Sequence, residues 1–394
     1  MTTLKKRSQG TLRLLTRQVA EILPTQKGLE GVMRKKKIRV YLGIDPTGSN
    51  LHLGHTVPLR KIQQFADQGH EAILVIGTGT VLAGDPSQRR SARPRITEKE
   101  IAQNIKTWKK QAAQIINFSK VKLRYNGDWL KKLTLKDMIE IASHISAVRL
   151  FQRDMFQRRI RQGDTVWMHE TFYPLLQGYD SVVLDVDLEI GGTDQVFNML
   201  IGRELQQKMR GREKFILTVP MITGLDGKPM SKTSNNTVNI TDSPQDMYGK
   251  LMSLRDDLVF EYFEMCTDVP MDEIKRMQKK LSPRDFKAKL AKETVSMYHG
   301  KKAAKEAERE FVQVFREKKQ PKFITRVIIK KKKLTLVDLL RAGDLASSRS
   351  EARRLVEQGG VKIDGILQMD PNRGISLKKG MVLQVGKRRF AKIG

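Results

Sequence analysis

The 394 residues, 39% hydrophobic and 6% aromatic, are enough to bury a large core and too many for one average domain, so two or three domains are expected. One cysteine, Cys266, excludes an internal disulfide and a cysteine-rich zinc site; no run of about 18 apolar residues offers a membrane span, and the basic start MTTLKKRSQG leads into no signal-peptide core, so a cytoplasmic protein is expected. With 74 Lys and Arg against 43 Asp and Glu, the net charge of +31 favours a polyanionic partner, nucleic acid above all, over charge that merely keeps the chain soluble.

In chain order, residues 38–44, IRVYLGI, form a predicted buried strand that stops at the turn-forming DPTGSN. LHLGHTVPLRKIQQFADQG then has a helical pattern, and AILVIGT is a second apolar run of strand length. Strand, helix and strand make the unit of a Rossmann-type parallel sheet, an α/β fold. His52 and His55, three residues apart, share one face at the positive N-terminal end of that helix, where phosphate binds; Gly54 between them lets a nucleotide come close.

Farther on, Tyr173, Gln177 and Asp180 fall on one stripe of a helical segment, and Pro174 requires that helix to begin within about one turn before it. VVLDVDLEIGG (182–192) and FILTVPMITG (215–224) each hold a short strand followed by glycine. The loop DGKPMSKTSNN carries Lys228 and Lys232, whose charges can meet a triphosphate. Charged helical segments run from about Ser243 to Glu317, and KKQPKFITRVIIKKKK (318–333) has the composition of a basic linker with one extended piece. In the tail, Ser347 or Ser348 caps a helix bearing Arg349, Arg353 and Arg354; Gly359 and Gly360 end it, and a strand from Val361 to Ile363 turns at Asp364-Gly365. Residues 331–394 hold 15 basic and 6 acidic side chains, which suits phosphate contact. Each motif also has a blander reading: a polar loop, a solvated basic loop, a water-facing helix stripe, a basic domain that only stabilises a dimer.

Taken together, PTGSNLHLGH (46–55) resembles the HIGH signature of class I aminoacyl-tRNA synthetases, and PMSKT (229–233) resembles their KMSKS signature, in the expected order and on the expected elements. The chain as a whole resembles the bacterial tyrosyl-tRNA synthetases. That resemblance implies a catalytic domain over 1–240, an α-helical anticodon-region domain over 241–320, a linker over 321–333 and an α+β S4-like RNA-binding domain over 334–394. It implies catalytic roles for Thr47, His52, His55, Lys228 and Lys232. Tyr41 and Asp180 would bond the tyrosine phenol, Tyr173, Gln177 and Asp85 the α-ammonium, and Gln195 the carboxylate. ATP contacts would come from Asp45, Gly54, Gly192, Asp194, Ser231 and Thr233, with Asp194 on the ribose; Arg349, Arg353 and Arg354 would meet RNA.

ATP with Mg2+, tyrosine and tRNA(Tyr) are the implied partners, with no protein-held metal and a homodimeric assembly. One departure stands out, because Pro229 occupies the first signature-lysine position and leaves Lys228 as its nearest substitute. The rival readings are a tryptophanyl-tRNA synthetase and a non-catalytic, synthetase-like RNA-binding protein. An indole nitrogen is only a donor, which fits the Tyr41 and Asp180 pair less well than a phenol does.

Overall fold

The structure, a computed structural model, describes residues 13–87, 97–230, 236–315, 325–329, 333–346, 348–386 and 389–394. Two compact units are present, Met1–Asp242 with Ser253–Leu290 and Ser243–Met252 with Ala291–Gly394.

The first unit is built on six strands: β1 (Glu21–Leu23), β2 (Arg39–Ile44), β3 (Glu71–Ile76), β4 (Val121–Tyr125), β5 (Leu188–Gly192) and β6 (Phe215–Val219), in the order β1-β6-β5-β2-β3-β4. All neighbours from β6 to β4 are parallel. β3 reads as an unbroken apolar run because both its faces are covered. The helix Leu53–Asp67 lies over β2, β3 and β5 and buries Val57, Leu59, Ile62 and Phe65. From β2 the chain winds outward through β3 and β4, then returns to β5 on the other side. The order therefore reverses between β2 and β5, where open α/β sheets form a crevice beyond their strand ends.

Two differences from the sequence reading have clear causes. β1 is an antiparallel edge strand on β6 that three residues ahead of a proline do not announce. The helix carrying the polar stripe runs Met168–Leu184, which puts Pro174 in its second turn rather than its first. Its start is set from outside. Glu170 accepts the Trp167 backbone N–H at 2.9 Å and pairs with the buried Arg159 at 2.8 Å, while Arg159 also holds Asp164. A charge-assisted cap of this kind offsets part of the cost of the proline inside the helix.

In the second unit the tail has its own core of Leu336, Leu339, Leu340, Val356, Val361 and Leu383, among others. Ser348 caps the helix Arg349–Glu357 by accepting from Glu351 N–H at 3.1 Å. Position 347, the other capping candidate, lies outside the described residues. The hairpin of the strands Val361–Ile363 and Ile366–Gln368 turns at Asp364 and Gly365, both at positive φ. The extended piece at Thr325–Val327, within the stretch that reads as linker, is an edge strand parallel to Arg389–Ile393.

Candidate active site

A cavity of about 200 Å³ opens at the C-terminal ends of β2 and β5, at the reversal point. Its wall includes Asp45 past the end of β2, Gly191 and Gly192 ending β5, and Tyr173, Gln177 and Asp180 from one helix face. The polar stripe thus faces the cavity, not water. Close backbone approach is built in at Gly77, where a Cβ would fall 1.8 Å from an Asp45 oxygen.

The two loop motifs meet in space. Leu53 N–H donates to Val238 O and Ile240 N–H to Leu51 O, each at 3.0 Å, so the strip just after the PMSKT loop is stitched across the HLGH turn. His52 caps its helix, and its backbone N–H donates to His55 Nδ1 at 3.2 Å. The two imidazoles lie 3.8 Å apart, and His55 meets the Trp108 ring edge-on. A Cβ on Gly54 would stand 3.1 Å from both the His52 ring and Met230 Sδ, so this glycine lets the second loop close over the first. Asp226 and Asn236 clamp the base of that loop at 2.9 Å, and the exposed Lys228 stands on it. Ser231, Lys232 and Thr233 lie outside the described residues. Thr47 donates its backbone N–H to Asp45 O at 2.8 Å, which turns the chain at the cavity rim.

At one end of the cavity Asp180 accepts from Trp129 Nε1 at 2.8 Å and Asn126 Nδ2 at 3.0 Å. Asn126 also bonds Thr80, whose hydroxyl donates to Asp45 at 2.7 Å. Burial pushes the Asp180 carboxyl up to about 8, against the pull of those two donors. Tyr41 is fully buried, and its hydroxyl shares a bond of 3.0 Å with Ser181 Oγ. Its phenol, like that of Tyr173, is held far above the ordinary value by burial and by neighbouring carboxylates. Gln177 donates Nε2 to Glu189 at 3.0 Å.

At the other end Gln195 is a hub. Its Nε2 reaches Asp85 at 2.9 Å, Ser87 at 2.8 Å and Asp194 at 3.0 Å, while its carbonyl accepts from Asn198 at 2.9 Å. A Cβ on Gly192 would fall 2.5 Å from Asp194, which lies in the turn directly after β5. Asp45, Asp85, Asp180 and Asp194 thus surround one crevice, which suits a ligand carrying an ammonium group. Arg153, buried and stacked 5.1 Å over Phe197, sits in the field of Asp85 and Asp194 as a partial counterweight.

A family model described as tRNA synthetases class I (W and Y) matches residues 33–316, which hold every element of the crevice. The chain belongs to that family. A second model, the S4 domain, matches residues 335–376 of this synthetase. Curated relatives include a tyrosine–tRNA ligase of Moorella thermoacetica, 44% identical over 97% of this chain and 95% of that one. Another, from Thermotoga maritima, is 42% identical over 97% and 96%. Among solved structures, a C-terminally truncated mitochondrial tyrosyl-tRNA synthetase of Aspergillus nidulans shares the fold, with a TM-score of 0.67 at 22% identity over 79% of this chain and 99% of that one.

In the tail of the synthetase, Arg349 makes a forked pair with Asp338 at 2.7 to 2.9 Å, and Arg353 reaches Asn372 at 3.2 Å. Arg349 is therefore already engaged by a carboxylate. Sequence reasoning missed Asn126, Trp129, Thr80, Ser181, Glu189, Lys214 and Arg153. A usable signal existed for the first two, since NGDW directly follows β4 at the strand end where such crevices form.

Proposed function

We propose that the chain joins tyrosine to tRNA(Tyr) in two steps at this crevice. The tyrosine carboxylate attacks the α-phosphorus of ATP and pyrophosphate leaves; a ribose hydroxyl of the terminal adenosine then attacks the acyl carbon and AMP leaves. The observation that carries the reading is the buried Asp180, held by Asn126 and Trp129 at the end of an acid-lined crevice, ready to bond a phenol. Tyr41 is its partner there. Tyr173, Gln177 and Asp85 take the ammonium, Gln195 the carboxylate and Asp194 the ribose.

No protein nucleophile takes part, so the chain contributes position and charge. Asp45, Thr47, Gly54 and Gly192 border the nucleotide. His52 and His55 act beside the phosphates, Lys228 and Lys232 from the second loop bring positive charge to them, and Ser231 and Thr233 contact the ATP. Magnesium arrives on the ATP as part of the substrate. The domain limits at 240, 320 and 333 follow the division of labour, the catalytic body ending after the second signature and the S4 unit binding tRNA through Arg353, Arg354 and, once freed from Asp338, Arg349.

Large apolar side chains stand well exposed, among them Ile139, Val148, Ile160, Trp167 and Met168, which favours a homodimer that covers some of them. Cytoplasm is the compartment where ATP and tRNA meet. The deciding experiment is ATP–pyrophosphate exchange with each of the twenty amino acids. Tyrosine alone should drive it; tryptophan alone, or none, would refute the assignment. Sedimentation of the chain as a monomer at micromolar concentration would refute the dimer.

A further inference from the structure

We propose that Lys214 is a positioning residue for the amino acid substrate: through Glu189 it decides which end of the Gln177 carboxamide faces the crevice, and through Ser181 it holds the Tyr41 hydroxyl. The inference rests on the tyrosine-site reading above.

Lys214 stands just before β6 and its side chain is fully buried, as is that of Glu189 in β5. The parallel register pairs Leu188 with Phe215 and Glu189 with Ile216, two residues on from Lys214, and the lysine side chain reaches across so that its ammonium contacts both the Glu189 carboxylate and Ser181 Oγ. Space for it is made by Gly202, where a Cβ would lie 2.5 Å from Nζ. Gly202 in turn faces Gly178 at backbone distance, so the helices Met168–Leu184 and Val196–Arg210 are pressed together at this point. A lysine taken this far from water is tolerated only with a carboxylate partner and satisfied donors. Burial drives its ammonium below the ordinary value, and Glu189 opposes that.

An ammonium can only donate and an ionised carboxylate can only accept. Glu189, paired with the Lys214 ammonium, accepts from Gln177, and the Gln177 group 3.0 Å away is its NH2. The carboxamide oxygen is buried and has no hydrogen-bond partner among the described residues, on a residue that lines the crevice. An unpaired acceptor on a crevice-lining side chain suits an α-ammonium, whereas the opposite amide orientation would present NH2 to it. On the second branch, Ser181 Oγ accepts a hydrogen bond from Lys214 and lies 3.0 Å from Tyr41 and 3.5 Å from Glu189, so the serine is held between them and fixes the tyrosine.

Glu189→Gln tests the first branch without changing shape. Lys214 will hold the new amide oxygen, so NH2 faces Gln177 and forces its oxygen inward. In pyrophosphate exchange, KM for tyrosine should rise about tenfold or more, as for a lost charge-assisted bond, with KM for ATP within about twofold. Lys214→Met should act in the same direction, because it removes the donor that holds the Glu189 carboxylate against Gln177. Ser181→Ala should lower the preference for tyrosine over phenylalanine and leave KM for ATP alone.

Active-site titration separates these effects from misfolding, since a purely structural role would reduce the number of competent sites and leave their KM unchanged. Parent values of tyrosine KM and of the tyrosine-to-phenylalanine preference in folded Glu189→Gln and Ser181→Ala would overturn the proposal. If Lys214→Met does not fold, those two near-isosteric variants decide alone. A parent chain that exchanges with no amino acid would instead overturn the site reading, and this inference with it.

Discussion

Trp129→Phe isolates one bond of the phenol site. The substitution keeps an aromatic ring against the buried cluster of Tyr41, Ile73, Val75 and Val186, and it removes the indole N–H that reaches Asp180 at 2.8 Å. Asp180 then keeps the bond from Asn126. A hydrogen bond to a charged group is worth about 1.5–3 kcal/mol, which corresponds to roughly 1–2 pKa units. Since burial already lifts this carboxyl to about 8, losing a bond that favours the ionised form lifts it further.

Ionised Asp180 is the stronger acceptor for a phenol hydroxyl. In the parent chain, kcat/KM for tyrosine should therefore rise as pH climbs through about 8, and in the variant the rise should move to higher pH. At pH 7.5 the variant should activate tyrosine roughly 10- to 100-fold less efficiently. Phenylalanine has the same α-amino group and no hydroxyl, so its kcat/KM should hardly change; it serves as the internal control. The assay is pyrophosphate exchange with both amino acids from pH 6.5 to 9.5. An equal loss for both, or a pH profile that does not move, would refute the role of Asp180.

Tyr41→Phe should cost little stability, because Ser181 keeps Lys214 and Glu189 as partners, and should narrow the tyrosine-over-phenylalanine preference by about 2- to 10-fold, as measured by the ratio of kcat/KM values. His52→Ala and His55→Ala should slow single-turnover adenylate formation by orders of magnitude while tyrosine affinity, measured by equilibrium dialysis, stays near the parent value. Comparing Lys228→Ala with Lys232→Ala in the same assay should show the larger loss at Lys232; negligible loss in both would mean the loop does not act on the phosphates. A chain ending ahead of the strand Thr325–Val327 should keep tyrosine-dependent exchange, charge tRNA poorly and lose much of the salt dependence of tRNA binding. His70, whose Nδ1 accepts the Ile38 N–H at 3.2 Å, is pushed down to about 4 by burial and by Lys37. Its folded value is below its unfolded one, so its contribution is complete above about pH 6.5 and is lost as pH falls toward 4. With allowance for partial solvent access this amounts to about 1–3 kcal/mol, visible as a drop in urea stability from pH 7 to pH 5 that His70→Gln should remove.

What could be read from the sequence, and what could not, divides along a physical line. The strands at β2, β3, β5 and β6 are legible because an apolar run ending in Gly, Asp or Pro is a local signal, and their C-terminal ends carry Asp45, Gly192 and Asp194, so the crevice can be placed without knowing the packing. The stripe of Tyr173, Gln177 and Asp180 is equally local, since helix periodicity alone aligns it. The start of that helix is not local. It depends on Glu170 meeting Arg159 across a loop, and this overrides the proline rule that sets the expected boundary.

Glu189 and Lys214 are less legible still, because nothing in either segment names the other. Only the parallel register of β5 against β6 and the approach of two helices at Gly178 and Gly202 bring them under Gln177 and Tyr41. The groups proposed to touch tyrosine and ATP sit at strand ends and on one helix face, where short-range pattern identifies them. The groups that orient those side chains come from different elements, and their identity follows from register and packing. A substitution at Lys214 therefore tests the fold's part in substrate selection separately from that of the motifs.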